Sequence, residues 1–238
     1  MNMNYKFSKT VVVALGGSIV HPGEIDTKFL KNFKKFLAPF IESGTRFVLV
    51  VGGGALARRF QEAAGAVTKV NDEDKDWIGI HSTRLNAHLL RTIFRDVADP
   101  VIIDTREKIA RPRYPVTIGA GWRPGWSTDY VALQIAADLG VNEAIIAGKP
   151  AYVFDKDFVK YPAAKKFTAL NWKNYSKLIP KKWKPGLHAP VDPVGAALAA
   201  KWGLKAIVID GRDLKNFGAL LNGKDFHGTV IGEDERSV

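Results

Sequence analysis

The sequence contains no cysteine, so neither disulfide bonds nor thiolate-held zinc can support the fold. It also lacks an apolar run of the roughly 18 residues that a bilayer-spanning helix needs, and we expect no membrane segment. The histidines, at positions 21, 81, 88, 188 and 227, do not show the spacing of metal ligands, and we predict no protein metal site. These absences favour a cytoplasmic protein that depends on an ordinary hydrophobic core.

Two well-known phosphate-binding signatures are also missing. The sequence has no G-x-x-x-x-G-K-[ST] loop and no G-x-G-x-x-G segment after a predicted strand. Their absence disfavours both a P-loop nucleotide site and a Rossmann dinucleotide site.

The chain is basic along most of its length. Its 238 residues carry 35 Lys and Arg against 24 Asp and Glu, a net charge of +11. Such a charge suits nucleic acid, anionic lipid or phosphorylated metabolites. Apart from a denser stretch at residues 156–184, the basic residues are spread out, which is weaker evidence for a nucleic-acid groove than one basic stripe. We therefore expect small phosphorylated ligands and no nucleic acid.

Short apolar runs, glycines and helical patterns alternate along most of the chain. Buried strands are predicted at residues 11–15, 47–51, 101–103, 116–118, 144–147, 206–209 and 229–231. Helices are predicted after a cap at Asp26 and at residues 55–64, 77–97, 128–139 and 192–202. This order predicts an α/β fold, a three-layer α/β/α sandwich with an open, mostly parallel central sheet.

Residues 150–190 interrupt the alternation. They contain five prolines, several aromatic residues and many lysines. We interpret this segment as a mobile flap or small subregion of a single domain that spans residues 1–238.

Three glycine segments follow three predicted strands: Gly16–Gly17–Ser18, Gly52–Gly53–Gly54, and residues 119–128. In open parallel sheets, ligands lie beyond the carboxyl ends of the strands. Glycine lets the backbone approach an anion closely, and a helix that begins just afterwards directs free N–H groups towards it. One such segment is as often structural as functional, but three at one sheet edge favour a phosphate site.

Six short segments carry a resemblance to a known family. They are GGGALARR (52–59), DWIGI (76–80), TRLNA (83–87), WRPGWSTD (122–129), VDP (191–193) and HGTVI (227–231). Together they resemble the archaeal-type UMP kinases of the amino-acid kinase superfamily. The similarity covers about residues 10–232 and is thin between 150 and 190.

The resemblance implies an ATP-dependent kinase that converts UMP to UDP, with Mg²⁺ arriving on ATP and held mainly by phosphate oxygens. It also implies a homo-oligomer, often a hexamer. The implied catalytic residues are Gly17, Ser18, Arg58, Asp129 and Lys149. The implied UMP-binding residues are Gly53, Asp76, Trp122, Arg123, Pro124, Gly125, Trp126, Ser127 and Thr128. The implied ATP-binding residues are Gly17, Ser18, Gly54, Arg58, Gly148, Lys149, Phe154 and Asp157.

The chemistry of the side chains suits some of these roles. A carboxylate at Asp76 can accept hydrogen bonds from ribose hydroxyls. The guanidinium of Arg58, one turn into its helix, can bind phosphate oxygens with two nitrogens. The alternative for Arg58 and Arg59 is a solvated helix face.

Other positions have competing interpretations. Asp129 either organises catalytic cations or only charges the first turn of its helix. Trp122 and Trp126 either stack on uracil or pack the loop. Arg84 and Asn86, on a long helix, are better explained by structural roles.

Two departures from the family pattern leave alternatives open. Ala14 stands where many superfamily members have a lysine. On the ATP side, Ala151 and Tyr152 replace an aspartate and a glycine, and tyrosine adopts a positive φ at greater cost than glycine. The turn must therefore differ. The alternatives are a kinase for another carboxylate, carbamate or phosphate acceptor, and a nucleotide-binding homologue without activity.

Overall fold

The computed structural model describes residues 5–158, 160–184, 189–232 and 236–237. The strands are β1 (Thr10–Leu15), β2 (Arg46–Val51), β3 (Ala98–Ile103), β4 (Val116–Gly119), β5 (Glu143–Gly148), β6 (Val153–Phe154), β7 (Lys166–Leu170), β8 (Lys205–Asp210), β9 (Thr229–Ile231) and β10 (Arg236–Ser237). The helices are α1 (Gly17–Val20), α2 (Thr27–Glu42), α3 (Gly54–Val67), α4 (Asp72–Ile93), α5 (Thr128–Asp138), α6 (Trp172–Leu178), α7 (Pro193–Trp202) and α8 (Leu214–Leu221), with a 3₁₀ turn at Arg106–Lys108.

The strands form one sheet in the order β10-β7-β9-β8-β5-β1-β2-β4-β3, and β6 pairs with β7 beside that path. Every pairing from β8 through β3 is parallel, and β7 is parallel to β9. The pairs β8–β9, β6–β7 and β7–β10 are antiparallel. The predicted open, mostly parallel sheet is confirmed.

Both faces of the sheet are buried, as the unbroken apolar strands require. In β1, Val11, Val13 and Leu15 belong to one core, and Val12 and Ala14 belong to the other, because successive side chains point to opposite faces. Helices α5, α6 and α7 contribute to the core with Val12, whereas α1, α2, α4 and α8 contribute to the core with Val11. The result is the expected α/β/α sandwich. Among the helices of the described ranges, none has the length and apolar character to cross a membrane.

Helix α4 differs from the helix predicted over residues 77–97 at both of its ends. Helix α4 begins at Asp72 because the Asn71 side chain caps it, accepting a hydrogen bond from the Asp74 backbone N–H at 2.7 Å. It ends at Ile93. Asp76 therefore lies in the second turn of α4 and not before the helix.

The segment 150–190 is more integrated than a flap. Strand β7 lies inside the sheet between β9 and β10, and α6 buries Tyr175 completely. The Tyr175 hydroxyl also donates to the Val191 carbonyl at 2.7 Å, which ties α6 to the start of α7. In the latter part of this segment, regular structure is absent from residues 179–184 and 189–190, which flank the undescribed residues 185–188.

Asp26 stabilises the start of α2 in two ways. Its Oδ1 accepts from the Phe29 N–H at 2.9 Å, and its Oδ2 accepts from the Arg212 guanidinium at 2.6 Å. The backbone hydrogen bond, and then the Arg212 hydrogen bond, lower the pKa of Asp26.

We expect Asp26→Ala to lower the free energy of unfolding at pH 7 by about 1–2 kcal/mol, since it removes a helix cap and an ion pair. Asp26→Asn should cost less, because asparagine caps helices well. Because the pKa of Asp26 is lower in the folded state, its carboxylate stabilises the fold fully at pH values above the unfolded-state pKa of about 3.9. This stabilisation is lost as the pH falls through the folded-state pKa. Urea unfolding from pH 7 to pH 3 should therefore show the gap between wild type and Asp26→Asn closing. A gap independent of pH would contradict this account.

Candidate active site

Two of the glycine segments touch each other at the carboxyl ends of β1 and β2. A Cβ at Gly17 would lie 2.1 Å from the amide nitrogen of Gly54 and 2.5 Å from the carbonyl carbon of Gly52. Gly54 has φ +66°, a conformation that favours glycine. The first predicted turn is in fact the short helix α1, which begins at Gly17 and packs against the start of α3. These glycines are required by the close contact of the two backbones.

A large cavity of about 720 Å³ opens beyond the ends of β1 and β5. All of the residues predicted to bind ATP line it, namely Gly17, Ser18, Gly54, Arg58, Gly148, Lys149, Phe154 and Asp157. We call it the donor cavity, after the phosphate donor that these residues are predicted to bind. Ala14, which stands where many superfamily members have a lysine, also lines it, so that position supplies no cation to the cavity.

A second cavity of about 250 Å³ adjoins the first, between α3, α4 and the loop before α5. Of the residues predicted to bind UMP, Gly53, Asp76, Trp126, Ser127 and Thr128 line it. We call it the acceptor cavity, after the phosphate acceptor that these residues are predicted to bind. The two cavities share a boundary formed by Gly54, Arg58, Thr128, Asp129 and Ala189.

Arg58 and Arg59 have different environments. Arg58 lines both cavities at their boundary. Arg59 instead forms an ion pair with Glu24 at 2.9 Å, and both side chains are largely exposed. The solvated-face interpretation therefore describes Arg59, and Arg58 is placed where anionic groups in the two cavities would meet.

Asp129 lies at the same boundary, in the first turn of α5. Burial raises the pKa of Asp129 well above its usual range, and the nearby carboxylate of Asp192 acts in the same direction. In the part of the chain that the structure describes, Asp129 has no salt-bridge partner. A positive charge placed beside such a carboxyl would favour its ionised form.

Replacing Asp129 by asparagine should stabilise the ligand-free protein, by about 0.5–2 kcal/mol at pH 8, while lowering activity. Because the pKa of Asp129 is higher in the folded state, the wild-type protein loses stability as the pH rises from the unfolded-state pKa of about 3.9 through the folded-state pKa. The stability gain of Asp129→Asn should accordingly shrink towards pH 4. Thermal unfolding of both proteins at pH 4, 6 and 8 measures this, and a destabilised variant at pH 8 would count against it.

The loop at 122–128 contributes less to the cavity than expected. Trp122 is buried in the core, and its indole N–H donates to the Ile103 carbonyl at 3.3 Å. Trp122, Arg123, Pro124 and Gly125 are not among the residues that line the acceptor cavity. Ser127 does line it, but its hydroxyl caps α5 and donates to Asp192. For Trp122, loop packing is the interpretation that the structure favours.

Asp76 is held by two donors from distant parts of the chain. Its Oδ2 accepts from the Gly125 N–H at 2.7 Å and from the Trp183 indole N–H at 3.0 Å. Within the described residues no hydrogen-bond donor reaches its Oδ1. Trp183 itself lines the acceptor cavity, although no motif in the sequence marks it as a site residue.

Asn86 positions the second glycine segment. Its side-chain amide donates to the carbonyl oxygens of Gly52 at 2.8 Å and Gly53 at 3.1 Å. This agrees with the structural role expected for it on α4.

The altered turn after β5 lines the donor cavity. Among the described residues, all that have positive φ are glycines, so Tyr152 has an ordinary backbone conformation and the turn takes another path, with a cis Lys149–Pro150 peptide. The rings of Tyr152, Phe154 and Phe158 line the cavity, and the latter two stack with centroids 4.8 Å apart. Burial raises the pKa of Tyr152, and a backbone hydrogen bond with Gly228 partly offsets the shift. The turn supplies an aromatic wall in place of the expected aspartate and glycine.

Comparison with protein families shows that the model of the amino acid kinase family matches residues 9–210. The chain is 32% identical over 225 residues to the uridylate kinase of Methanocorpusculum labreanum, which covers 93% of this chain and 95% of that protein. It is 30% identical over 224 residues to the uridylate kinase of Thermococcus sibiricus, over 93% and 98% of the two chains.

Among solved structures, the uridylate kinase from Archaeoglobus fulgidus has a similar fold. It is 27% identical to this chain, with a TM-score of 0.76, and the match covers 94% of this chain and 100% of that one.

Proposed function

Since this chain belongs to the amino acid kinase family, we propose that it transfers the γ-phosphoryl group of ATP to UMP, giving ADP and UDP. Relatives that match nearly their whole length are uridylate kinases. The observation that carries the proposal is the pair of adjoining cavities that meet at Arg58 and Asp129. A donor and an acceptor bound in them would bring their phosphates together at that boundary.

Phosphoryl transfer depends mainly on positioning and on neutralising negative charge. The N–H groups of Gly17 and Ser18, at the start of α1, precede the first hydrogen bond of that helix and can bind phosphate oxygens. Arg58 would contact phosphates from both cavities, and Lys149 would offset charge from the donor side. Asp76 would bind a ribose hydroxyl through Oδ1.

Magnesium would enter as the ATP complex. Within the described residues no three His, Cys, Asp or Glu side chains form a metal-binding group, so phosphate oxygens would supply most ligands. The proposal includes the cytoplasm as the place of action and a homo-oligomer as the working form.

The acceptor is tested by a panel assayed at saturating Mg·ATP. We expect kcat/KM for UMP to exceed that for CMP, AMP, ribose 5-phosphate, carbamate, an N-acetylated amino acid and an isoprenoid monophosphate. Chromatography should show UDP and ADP forming in equal amounts. A different acceptor with the higher kcat/KM would replace UMP in the proposal.

The altered turn has its own test. If its changes had abolished catalysis, UMP would bind without turnover, and Ala151→Asp combined with Tyr152→Gly would restore ADP formation. We expect turnover in the wild type, because Lys149, Phe154 and Asp157 still line the donor cavity.

A further inference from the structure

Trp183 is an acceptor-cavity residue that comes from the irregular part of the 150–190 segment. Its indole is half-buried and lines the cavity, and its N–H donates to Asp76 Oδ2 at 3.0 Å. The same oxygen also accepts the Gly125 N–H at 2.7 Å. The orientation of the indole is therefore fixed by a carboxylate on α4, although 107 residues separate the two in sequence.

The other tryptophans near the cavity already have partners. Trp122 is only 5% exposed and belongs to the core. Trp126 packs against the Tyr130 ring, with centroids 4.5 Å apart, and the Arg123 guanidinium carbon lies 3.8 Å from its ring centroid. By contrast, no ring or cation within the described ranges packs on Trp183. Trp183 thus lines the cavity without an aromatic or cationic partner among the described residues.

We propose that Trp183 is a specificity-determining residue on which the planar base of the acceptor nucleotide stacks. This inference rests on the proposed function, because it requires an acceptor that carries a base. Asp76 acts here as a positioning residue: one oxygen holds the indole and the other is free for the ribose. The two groups together recognise a nucleoside monophosphate and not a small phosphorylated or carboxylic acid.

The test compares Trp183→Ala and Trp183→Phe with the wild type at saturating Mg·ATP. Loss of base stacking should raise the KM for UMP about tenfold to a hundredfold in Trp183→Ala, with the KM for ATP unchanged. Trp183→Phe keeps a stacking ring and loses the hydrogen bond to Asp76, so its KM for UMP should stay within about threefold of the wild type. Trp202→Ala is the matched control, because Trp202 is 59% exposed on α7 and lines neither cavity.

Ribose 5-phosphate separates stacking from a general structural role. It lacks the base, so Trp183→Ala should leave its kcat/KM nearly unchanged while that of UMP falls. The inference is overturned if Trp183→Ala, with an unchanged melting temperature, keeps the wild-type KM for UMP, or if both variants weaken UMP equally. If the wild type does not phosphorylate UMP at all, the proposed function fails first, which is a distinct result.

Discussion

Replacing Arg58 by alanine is expected to lower kcat for UDP formation about 100- to 1,000-fold. Arg58 lies where the donor and acceptor cavities meet, and Ala14 leaves the end of β1 without a cation. A cation that is already in place beside the negative charge of the transition state accelerates a reaction by a factor of about that size. The Arg58→Lys variant should recover only part of the rate, because an ammonium cannot bind two phosphate oxygens in the planar geometry of a guanidinium.

Arg59→Ala is the matched control for this experiment. It removes the same charge from the neighbouring position, but Arg59 pairs with Glu24 at the surface. Its kcat and KM should equal those of the wild type. Equal losses in the two alanine variants would show that net charge, and not the position of Arg58, is responsible.

Replacing Gly17 by alanine is expected to lower the free energy of unfolding by about 3 kcal/mol or more. This is at or above the upper end of the usual destabilisation by substitutions that overpack a core. The added Cβ would lie 2.1 Å from the Gly54 nitrogen, and the obstructing atoms are backbone. The two glycine segments would have to separate, so activity should fall with stability. Urea unfolding and the rate of ADP formation measure the two effects.

Gly65→Ala provides the comparison. Gly65 lies in α3, is exposed, and has nothing within 4 Å of the position of a Cβ. Alanine there should stabilise the protein by about 0.5–1 kcal/mol, because it suits a helix better than glycine. A Gly17→Ala variant with wild-type stability would mean that the contact between the two segments is looser than the structure indicates.

The parts of the fold that sequence reasoning predicts well are those with local signals. Unbroken apolar runs such as residues 11–15 predict buried strands, and Asp26 predicts the start of α2. The order of strands and helices then implies the parallel sheet. The sequence does not predict helix α8, because its eight residues include Gly218 and are too few for a clear helical period.

The 150–190 segment could not be predicted because its structure depends on distant pairing. Strand β7 pairs in parallel with β9, about sixty residues later in the chain, and its own alternation of polar and apolar residues covers only five positions. Its prolines and lysines suggested a flap, whereas its buried residues, Tyr175 above all, fill the core.

All eight residues predicted to bind ATP line one cavity, whereas five of the nine predicted to bind UMP line the other. Glycine segments after strands place Gly17 and Gly54 at one sheet edge by topology alone. The orientation of a tryptophan has no local signal, so Trp122 and Trp126 could not be distinguished from Trp183. Two tryptophans in the 122–128 loop suggest stacking, and only the packed structure shows which rings already have partners.

We propose that ATP and UMP react across the boundary of the two cavities. The most direct test is to measure the transfer of labelled γ-phosphate from ATP to UMP by the purified protein. The account predicts labelled UDP, formed in equal amount with ADP, and its near-complete loss in Arg58→Ala but not in Arg59→Ala. If UMP binds in calorimetry yet no label reaches UDP, the protein is not a kinase for that acceptor. If UMP does not bind at all, the assignment of the acceptor cavity is wrong.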